Sequence, residues 1–361
     1  MDLAPQHSLI SHAIEQGWAR VMDAGTFIQG VEVKAFEEAY ATFCGVRHCV
    51  GLASGTDALE FSLRALGVGA GDEVIVPTNS FIASAAAVAR AGATPVLTDV
   101  DPEFLLIDPE DAGARVTSKT KAVIAVHLFG QLAPMEELGR AVGNKVLVVE
   151  DAAQAHGASR NGVGAGGFGV AAGTSFYPWK NIGAYGYAGA VLTQDDEVAR
   201  RVGTLRDHGS EVKYQHSELG FNSRLDTIQA VVLGAKLRFL RAWNQERREA
   251  AVRYDELLQK LGEVVRPKVL AGNEHVWHLY VVRVPNRDEV LAKLQSVGIG
   301  AGIHYPTPIH LQGAFGDLGY RSGDFPVSEK ASGEILSLPI YPGISPEQQE
   351  RVVEQLRKAL G

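Results

Sequence analysis

The stretch HCVGLASGTDALEFSLRALG, residues 48–67, decides the predicted fold because it joins two elements of different hydrophobic period. Its first seven residues are mostly apolar and are typical of a buried strand. In the residues that follow, Leu59, Leu63 and Leu66 recur at the spacing of one helix face. A strand that passes through a short turn of small residues into a helix is typical of a parallel α/β sheet.

The flanking sequence repeats this alternation. Further apolar runs bounded by turn residues are DEVIVP, ATPVLTDV, KAVIAVHLFG and KVLVVEDAAQ, at residues 72–77, 93–100, 121–130 and 145–154. From about Asp226 the pattern becomes one long helix rich in Leu and Arg, and 361 residues exceed the usual size of a single core. We therefore predict an α/β fold with a large, mostly parallel sheet domain over residues 1–240 and a smaller C-terminal α+β domain over residues 241–361.

The composition indicates a globular enzyme rather than a nucleic-acid-binding or membrane protein. The formal net charge is -8, which argues against a basic binding surface. No apolar run approaches the roughly 20 residues of a membrane helix, and MDLAPQHSLI lacks the pattern of a secretion signal. Cys44 and Cys49 form no metal-binding pattern, so we predict no metal site. We expect a cytoplasmic protein that holds any anionic ligand by local groups.

Polar residues follow two of the predicted strands, at the sheet edge where open α/β sheets bind ligands. Ser54, Gly55 and Thr56 offer backbone amides and hydroxyls at a helix N-terminus, which suits a phosphate group, although a plain helix cap is the alternative. Glu150 and Asp151 end another strand. A buried carboxylate there either meets a cation or caps the next helix, and the sequence leaves both open.

A third site is Lys180, in the aromatic segment SFYPWKNIGAYG, residues 175–186. Burial among aromatic rings would lower its pKa and leave a neutral amine that can form a Schiff base, whereas the alternative is a surface lysine whose ammonium reaches water. Together the three sites match one ligand, with a phosphate at Gly55 and Thr56, a ring nitrogen beside Asp151 and an aldehyde bonded to Lys180. Pyridoxal phosphate has these three groups.

One glycine-rich segment imitates a dinucleotide-binding motif. Gly162, Gly164 and Gly167 fit G-x-G-x-x-G, which should close a strand and open a helix. Polar residues precede the segment and FGVAAGTSFYP follows it, so this context is missing. We predict a turn that leads toward Lys180.

Four motifs in this order and spacing, SGTDAL, EDAAQAHGA, SFYPWKNIGAYG and GFNSRLDTIQA, resemble the nucleotide-sugar aminotransferases of the DegT/DnrJ/StrS family. The resemblance extends from FIQGVEVKAFEE to the C-terminus. It implies the aspartate aminotransferase-like fold of fold-type I pyridoxal phosphate enzymes, with pyridoxamine phosphate as the alternate form of the cofactor. It also implies a homodimer whose subunits share their active sites.

The resemblance assigns roles to individual residues. Lys180 corresponds to the lysine that bonds to the cofactor and transfers protons as general base and acid, and Asp151 to the acid beside the ring nitrogen. The other implied cofactor contacts are Gly55, Thr56 and Ser175 at the phosphate, Gln154 at the phenolic oxygen, Phe81 on the ring and Asn222 from the neighbouring subunit.

The segments RDHGSEVKYQHSELGFNSRLD and GIHYPTPIHLQ look most like members that aminate C3 of a dTDP-3-keto-6-deoxyhexose with L-glutamate as donor. The alternatives are a C4 aminotransferase for a dTDP-4-keto-6-deoxyhexose, a C3 aminotransferase for a UDP-sugar and, in another class, a catalytically silent binding or regulatory protein. The candidate substrate residues are Tyr185, Lys213, Tyr214, His304 and Tyr305.

Each of these substrate assignments has a structural alternative. Lys213 has the alternative of a plain exposed lysine, His304 that of a structural histidine, and Tyr185 that of a packing residue. The chain also departs from the family twice, with Trp179 in place of a small residue and with GYAG, residues 186–189, in place of G-D-G-G. Both departures bear on the shape of the sugar pocket.

Overall fold

Helices and strands alternate along most of the chain. The computed structural model describes residues 3–361; Met1 and Asp2, which the predicted large domain includes, lie outside the described residues. The α-helices are α1 Ala4–Ala24, α2 Val31–Cys44, α3 Gly55–Ala65, α4 Ile82–Ala91, α5 Pro109–Ala114, α6 Met135–Val142, α7 Asp196–Arg206, α8 Thr227–Leu237, α9 Leu240–Leu258, α10 Arg287–Ser296, α11 Pro326–Glu334 and α12 Pro346–Leu360. The strands are β1 His48–Leu52, β2 Glu73–Pro77, β3 Thr94–Thr98, β4 Thr120–Val126, β5 Leu147–Asp151, β6 Ser159–Arg160, β7 Val163–Gly164, β8 Ala171–Ser175, β9 Gly189–Thr193, β10 Ser210–Val212, β11 Gln215–His216, β12 Asn273–Glu274, β13 Tyr280–Arg283 and β14 Ile335–Leu338.

The main sheet has seven strands in the order β1-β9-β8-β5-β4-β2-β3. Strand β9 runs antiparallel to both of its neighbours, and the other neighbouring pairs are parallel. The prediction of a mostly parallel α/β sheet is thereby confirmed. Six strands end at one edge of the sheet, so the residues that follow them in sequence meet there.

The unit of β1 and α3 shows how the sequence positions this edge. Leu59 and Leu63 are buried on the inner face of α3, and the Ser54 hydroxyl caps the helix by accepting a hydrogen bond from the Asp57 amide at 3.1 Å. Gly189 opens β9 beside this turn, where a Cβ atom would lie 2.3 Å from the Ser54 carbonyl carbon. Glycine is required there because any larger residue would displace the helix N-terminus.

The C-terminal part has its own apolar core around the antiparallel pair of β13 and β14. Residues of α9, α10 and α12 pack on this pair, among them Tyr254, Leu294 and Leu356. The predicted domain boundary between residues 240 and 241 falls at the first residue of α9 and stays a prediction.

The single long helix predicted from about Asp226 is wrong, because α8 and α9 are separate helices interrupted at residues 238–239. The interruption lets two neighbouring apolar residues reach different cores. Phe239 packs beside α1, whereas Leu240 is fully buried in the cluster that contains Phe36 and Phe176. Within residues 3–361 no helix is both long and apolar enough to cross a membrane.

Candidate active site

A cavity of about 700 Å³ opens at the carboxyl edge of the main sheet. Its walls come from the segments after β1, β2, β4, β5 and β8, and from residues 300–305 and 337–341 of the C-terminal part. The predicted site residues that line it are Gly55, Thr56, Phe81, Asp151, Gln154, Ser175, Lys180, His304 and Tyr305. The fold thus brings together lining residues that are more than 200 positions apart in the sequence.

Asp151 is a hydrogen-bonded carboxylate in the inner wall of the cavity, the part of the lining formed by Asp151, Gln154 and Lys180. It is the last residue of β5 and is 7% exposed. Its Oδ2 atom accepts a hydrogen bond of 2.7 Å from the Ser84 hydroxyl, and its Oδ1 atom accepts one of 3.2 Å from the Ala153 amide. A turn rather than a helix follows β5, so the alternative of a helix cap is wrong. Two donors instead orient a buried carboxylate toward the cavity.

Lys180 lies in the turn after β8 and is partly exposed toward the cavity. Burial lowers the pKa of its amine from 10.5 to about 8, while the negative charge of Asp151 acts in the opposite direction. An amine with a pKa near 8 is uncharged in about a tenth of the molecules at pH 7. This is the property that a lysine needs to bond to an aldehyde.

Asn181 anchors the turn that carries Lys180. It is 3% exposed, and its Nδ2 atom donates to Oδ1 of Asn244 at 2.9 Å and to the carbonyl of Val276 at 3.0 Å. Its Oδ1 atom lies 3.1 Å from Nδ1 of His278. The turn is therefore joined to α9 and to the segment before β13, which holds the lysine between the two parts of the chain.

Three histidines near Lys180 are neutral at physiological pH. Burial, with the charge of Lys180, lowers the pKa of His156 to about 3 and that of His304 to about 4, and the same causes lower the pKa of His278 well below its usual value. His304 and His278 line the cavity, and Nδ1 of His304 lies 2.8 Å from the Ser337 hydroxyl. These imidazoles therefore add no positive charge beside the amine.

Gln154 connects the inner wall to the C-terminal part. Its Oε1 atom accepts a hydrogen bond of 2.6 Å from the Phe129 amide, and its Nε2 atom donates to the Tyr305 hydroxyl at 3.2 Å. Burial and the nearby Asp151 charge raise the pKa of Tyr305 to about 12, so the phenol stays protonated. The Tyr305 ring lies 5.2 Å from the Phe81 ring, measured between centroids.

The N-terminus of α3 forms one end of the cavity. Ser54 caps the helix, as the alternative reading proposed, but among the described residues no group accepts from the amides of Gly55 and Thr56. A Cβ atom on Gly55 would lie 2.6 Å from the Cβ atom of Ser175, so the helix start and this serine are in close contact. Free amides at a helix N-terminus beside a hydroxyl form an anion site.

Glu150 has a structural environment that the sequence analysis missed. It is fully buried, and its Oε2 atom lies 2.7 Å from Nε2 of His127. The amides of Gly166, Phe168 and Gly169 donate to the same carboxylate at 2.7 to 2.9 Å. The glycine-rich segment therefore wraps a carboxylate instead of a dinucleotide. The sequence feature that could have revealed this is the alternation of side chains along a strand, which places the neighbouring acids Glu150 and Asp151 on opposite faces of the sheet.

Tyr185 does not line the cavity. Its hydroxyl lies 2.7 Å from Nδ1 of His7, and the ammonium of Lys236 lies 4.7 Å from its ring centroid. Within one chain, Tyr185 is therefore better described as a packing residue than as a substrate contact.

Lys213, Tyr214 and Asn222 also lie outside the cavity lining. Lys213 and Tyr214 form the turn between β10 and β11, where the Tyr214 side chain is 82% exposed. Asn222 accepts a hydrogen bond of 2.6 Å from Arg224 through its Oδ1 atom. Their assigned roles stay predictions, and that of Asn222 concerns the neighbouring subunit.

The chemistry of the cavity fits pyridoxal phosphate. The amides of Gly55 and Thr56 with the Ser175 hydroxyl would hold the phosphate, Asp151 would keep the ring nitrogen protonated, and Lys180 would bond to the aldehyde. Bound there, the cofactor supplies an electron-withdrawing ring. The Lys180 amine would then take a proton from the substrate carbon and return one, as a general base and acid.

Comparison with known proteins agrees with this chemistry. Residues 9–357 match the DegT/DnrJ/EryC1/StrS aminotransferase family. A pleiotropic regulatory protein of Geobacillus stearothermophilus is 45% identical over 99% of this chain and 96% of its own length. A dTDP-3-amino-3,6-dideoxy-alpha-D-galactopyranose transaminase of Aneurinibacillus thermoaerophilus is 44% identical over 99% and 98%. A UDP-N-acetyl-3-dehydro-alpha-D-glucosamine 3-aminotransferase of Acidithiobacillus ferrooxidans is 43% identical over 100% and 97%.

Solved structures share the whole fold. S. venezuelae DesV in complex with a ketimine intermediate has a TM-score of 0.95 at 40% identity, covering 99% of this chain and 96% of that chain. Bacillus subtilis NtdA with bound cofactor PMP has a TM-score of 0.90 at 32% identity, covering 97% and 82%. The predicted fold type, enzyme class and cofactor are confirmed. This chain is a pyridoxal phosphate-dependent enzyme that belongs to the DegT/DnrJ/EryC1/StrS aminotransferase family.

Proposed function

We propose that this enzyme transfers an amino group from L-glutamate to C3 of a dTDP-linked 3-keto-6-deoxyhexose, in the biosynthesis of an amino-deoxysugar. One observation carries the position of the amine. Two relatives of nearly equal identity, 44% and 43%, are named for different nucleotides, dTDP and UDP, yet both names place the nitrogen at C3. C3 is therefore favoured over C4.

The size and depth of the cavity support a sugar substrate. A volume of about 700 Å³ lies in the upper part of the range for ligand sites, and it has to hold both the cofactor and the hexose. The lining residues Asp151 and Gln154 are 7% and 5% exposed, whereas Trp179 and Tyr187 are 50% and 74% exposed and therefore mark the mouth. The keto carbon would enter first and the nucleotide would extend toward the mouth.

The same proton-transfer groups can serve both half-reactions of the amino-group transfer. Glutamate would leave its amino group on the bound cofactor and depart as 2-oxoglutarate, and the keto sugar would then receive that group in the reverse sequence. The Lys180 amine would move the proton in both halves. Its lowered pKa suits both directions, because at neutral pH the protonated and neutral forms are both populated.

The enzyme would act as a homodimer. The hairpin of β10 and β11 projects exposed apolar residues, including Val212 at 56% and Tyr214 at 82%, and Leu219 just beyond it is 96% exposed. Exposed apolar groups of this kind favour a protein contact. Light scattering should give twice the mass of one chain, and a monomer with full activity would contradict this part of the proposal.

The substrate is tested by offering the enzyme three keto sugars with L-glutamate: a dTDP-3-keto-6-deoxyhexose, a dTDP-4-keto-6-deoxyhexose and a UDP-linked 3-keto sugar. NMR of the product locates the new amine, and the Lys180→Ala variant serves as the blank. We expect the largest kcat/KM with the first sugar and an amine at C3. Preference for the second sugar would overturn the position, and preference for the third would overturn the nucleotide.

A further inference from the structure

Trp179 and Tyr187, the latter in the GYAG segment of residues 186–189, come together at the cavity. They lie at the two places where the sequence departs from the pattern of the family it resembles. Tyr177 lies between them, with its ring centroid 5.3 Å from that of Trp179 and 6.0 Å from that of Tyr187. All three line the cavity. Seven residues separate the two departures in sequence, and only the approach of the turn after β8 to the start of β9 brings them together.

These three rings, here called the aromatic rim, contribute little to the core. Tyr177 is 38% exposed, Trp179 is 50% exposed and Tyr187 is 74% exposed. Phe176, in the same segment, is fully buried and packs on Phe36 and Tyr40. The segment therefore sends one aromatic ring into the core and leaves three others with free faces at the cavity. Clustered exposed aromatic residues mark a contact site.

The position of the aromatic rim matches one part of the proposed substrate. The keto carbon has to reach Lys180, which lies in the inner wall beside Asp151. The nucleotide is linked to the other end of the sugar through a diphosphate, so it extends away from the amine and toward the mouth. A base at the mouth is a flat aromatic ring, and exposed aromatic side chains stack on such rings.

We propose that Trp179, Tyr177 and Tyr187 form a stacking surface for the base of the nucleotide sugar. This inference rests on the proposed function, since it assumes a nucleotide-linked substrate. Stacking on an aromatic face tolerates any base, so the aromatic rim supplies affinity for the nucleotide without choosing between thymine and uracil. The departures from the family pattern therefore have a positive role in binding.

The test measures binding of dTDP, UDP and inorganic pyrophosphate to the holoenzyme by calorimetry. Trp179→Ala and Tyr187→Ala should each weaken dTDP and UDP by about tenfold to a hundredfold, with the affinity for pyrophosphate retained. Trp179→Phe, which keeps an aromatic face, should recover most of the lost affinity. Val252→Ala is the matched control, because this exposed apolar residue on α9 lies outside the cavity.

Three results would overturn the stacking surface. The first is an unchanged dTDP affinity in both alanine variants. The second is an equal loss for pyrophosphate, since that ligand has no base. The third is a change of oligomeric mass in Trp179→Ala without loss of dTDP binding, which would assign the aromatic rim to a contact with a second copy of the chain.

These outcomes are separable from failure of the proposed function. An enzyme that binds dTDP through the aromatic rim but aminates no keto sugar would refute only the proposed reaction. An enzyme that aminates a dTDP-keto sugar with the same affinity in the wild type and both alanine variants would refute only the stacking surface.

Discussion

The inner wall and the aromatic rim of the cavity are built on opposite principles. Asp151 and Gln154 in the inner wall, and Asn181 next to Lys180, are each at most 7% exposed and hydrogen-bonded to neighbouring residues. Trp179 and Tyr187 are at least half exposed, and the ring of each lies beside that of Tyr177. Asn181 and Trp179 flank the same lysine, yet only Asn181 is anchored. The reacting groups are thus preorganised, whereas the outer residues are left free to meet a ligand.

Removal of the Lys180 amine should produce the largest effect. Lys180→Ala loses both the bond to the cofactor and the proton carrier, so we expect glutamate turnover to fall by about 10⁴-fold or more. Absorbance of the bound cofactor and trapping with borohydride measure the loss. Lys236→Met is the matched control, because burial also lowers the pKa of Lys236 to about 8, but its ammonium donates to the Gly183 carbonyl and lies outside the cavity lining. Covalent trapping that survives Lys180→Ala would contradict the assignment.

The pH dependence tests how strongly the inner wall acts on this amine. Only the neutral amine reacts with an aldehyde, and burial lowers the pKa of Lys180 to about 8. The rate at which the cofactor-free protein bonds pyridoxal phosphate should therefore rise about a hundredfold from pH 6 to pH 9 and then level off. A rate that still rises tenfold from pH 9 to pH 10 would contradict burial of the amine.

Asp151→Asn sharpens this measurement. The carboxylate of Asp151 acts against burial and raises the pKa of Lys180. Its neutralisation should therefore move the midpoint of the pH profile to lower pH. A midpoint that moves upward would show that the two groups do not interact as the structure implies.

The two neighbours of Lys180 should differ in their contribution to stability. Asn181→Ala removes the hydrogen-bond partner of the Asn244 Oδ1 atom, the Val276 carbonyl and the His278 Nδ1 atom, so we expect the free energy of unfolding to fall by about 2 to 4 kcal/mol. Trp179→Ala should change it by less than about 1 kcal/mol, because the indole is half exposed. Chemical denaturation of both variants provides the comparison, and equal losses would refute it.

The smallest expected effect concerns the donor to Asp151. Ser84→Ala removes the 2.7 Å hydrogen bond to Oδ2 of Asp151. Because this hydrogen bond orients the carboxylate and contributes about 1 kcal/mol, its loss should lower kcat by about fivefold. Ser62→Ala is the matched control, because this fully buried serine bonds only to the Ala58 carbonyl, away from the cavity. A similar fall in kcat for both variants would indicate loss of stability rather than of positioning.

The sequence predicted those parts of the site that are encoded locally. Gly55 and Thr56 follow a strand and open a helix, and Asp151 ends a buried strand, so strand period and helix caps suffice to place them at the sheet edge. The sequence also predicted that burial would lower the pKa of Lys180, and burial does so. The sequence left the alternatives open at each site because a cap and a ligand contact use the same residue types.

What the sequence alone determined is a mostly parallel α/β sheet with Lys180, Asp151 and a helix N-terminus at one edge, since each follows from neighbours along the chain. Only the tertiary structure decided that Ser84 orients Asp151, that Asn181 joins α9 to the segment before β13, and that Trp179 meets Tyr187 across Tyr177. It also decided that α8 and α9 separate. The physical reason is that these contacts join residues far apart in the chain, or from different segments, whose approach depends on how whole elements pack.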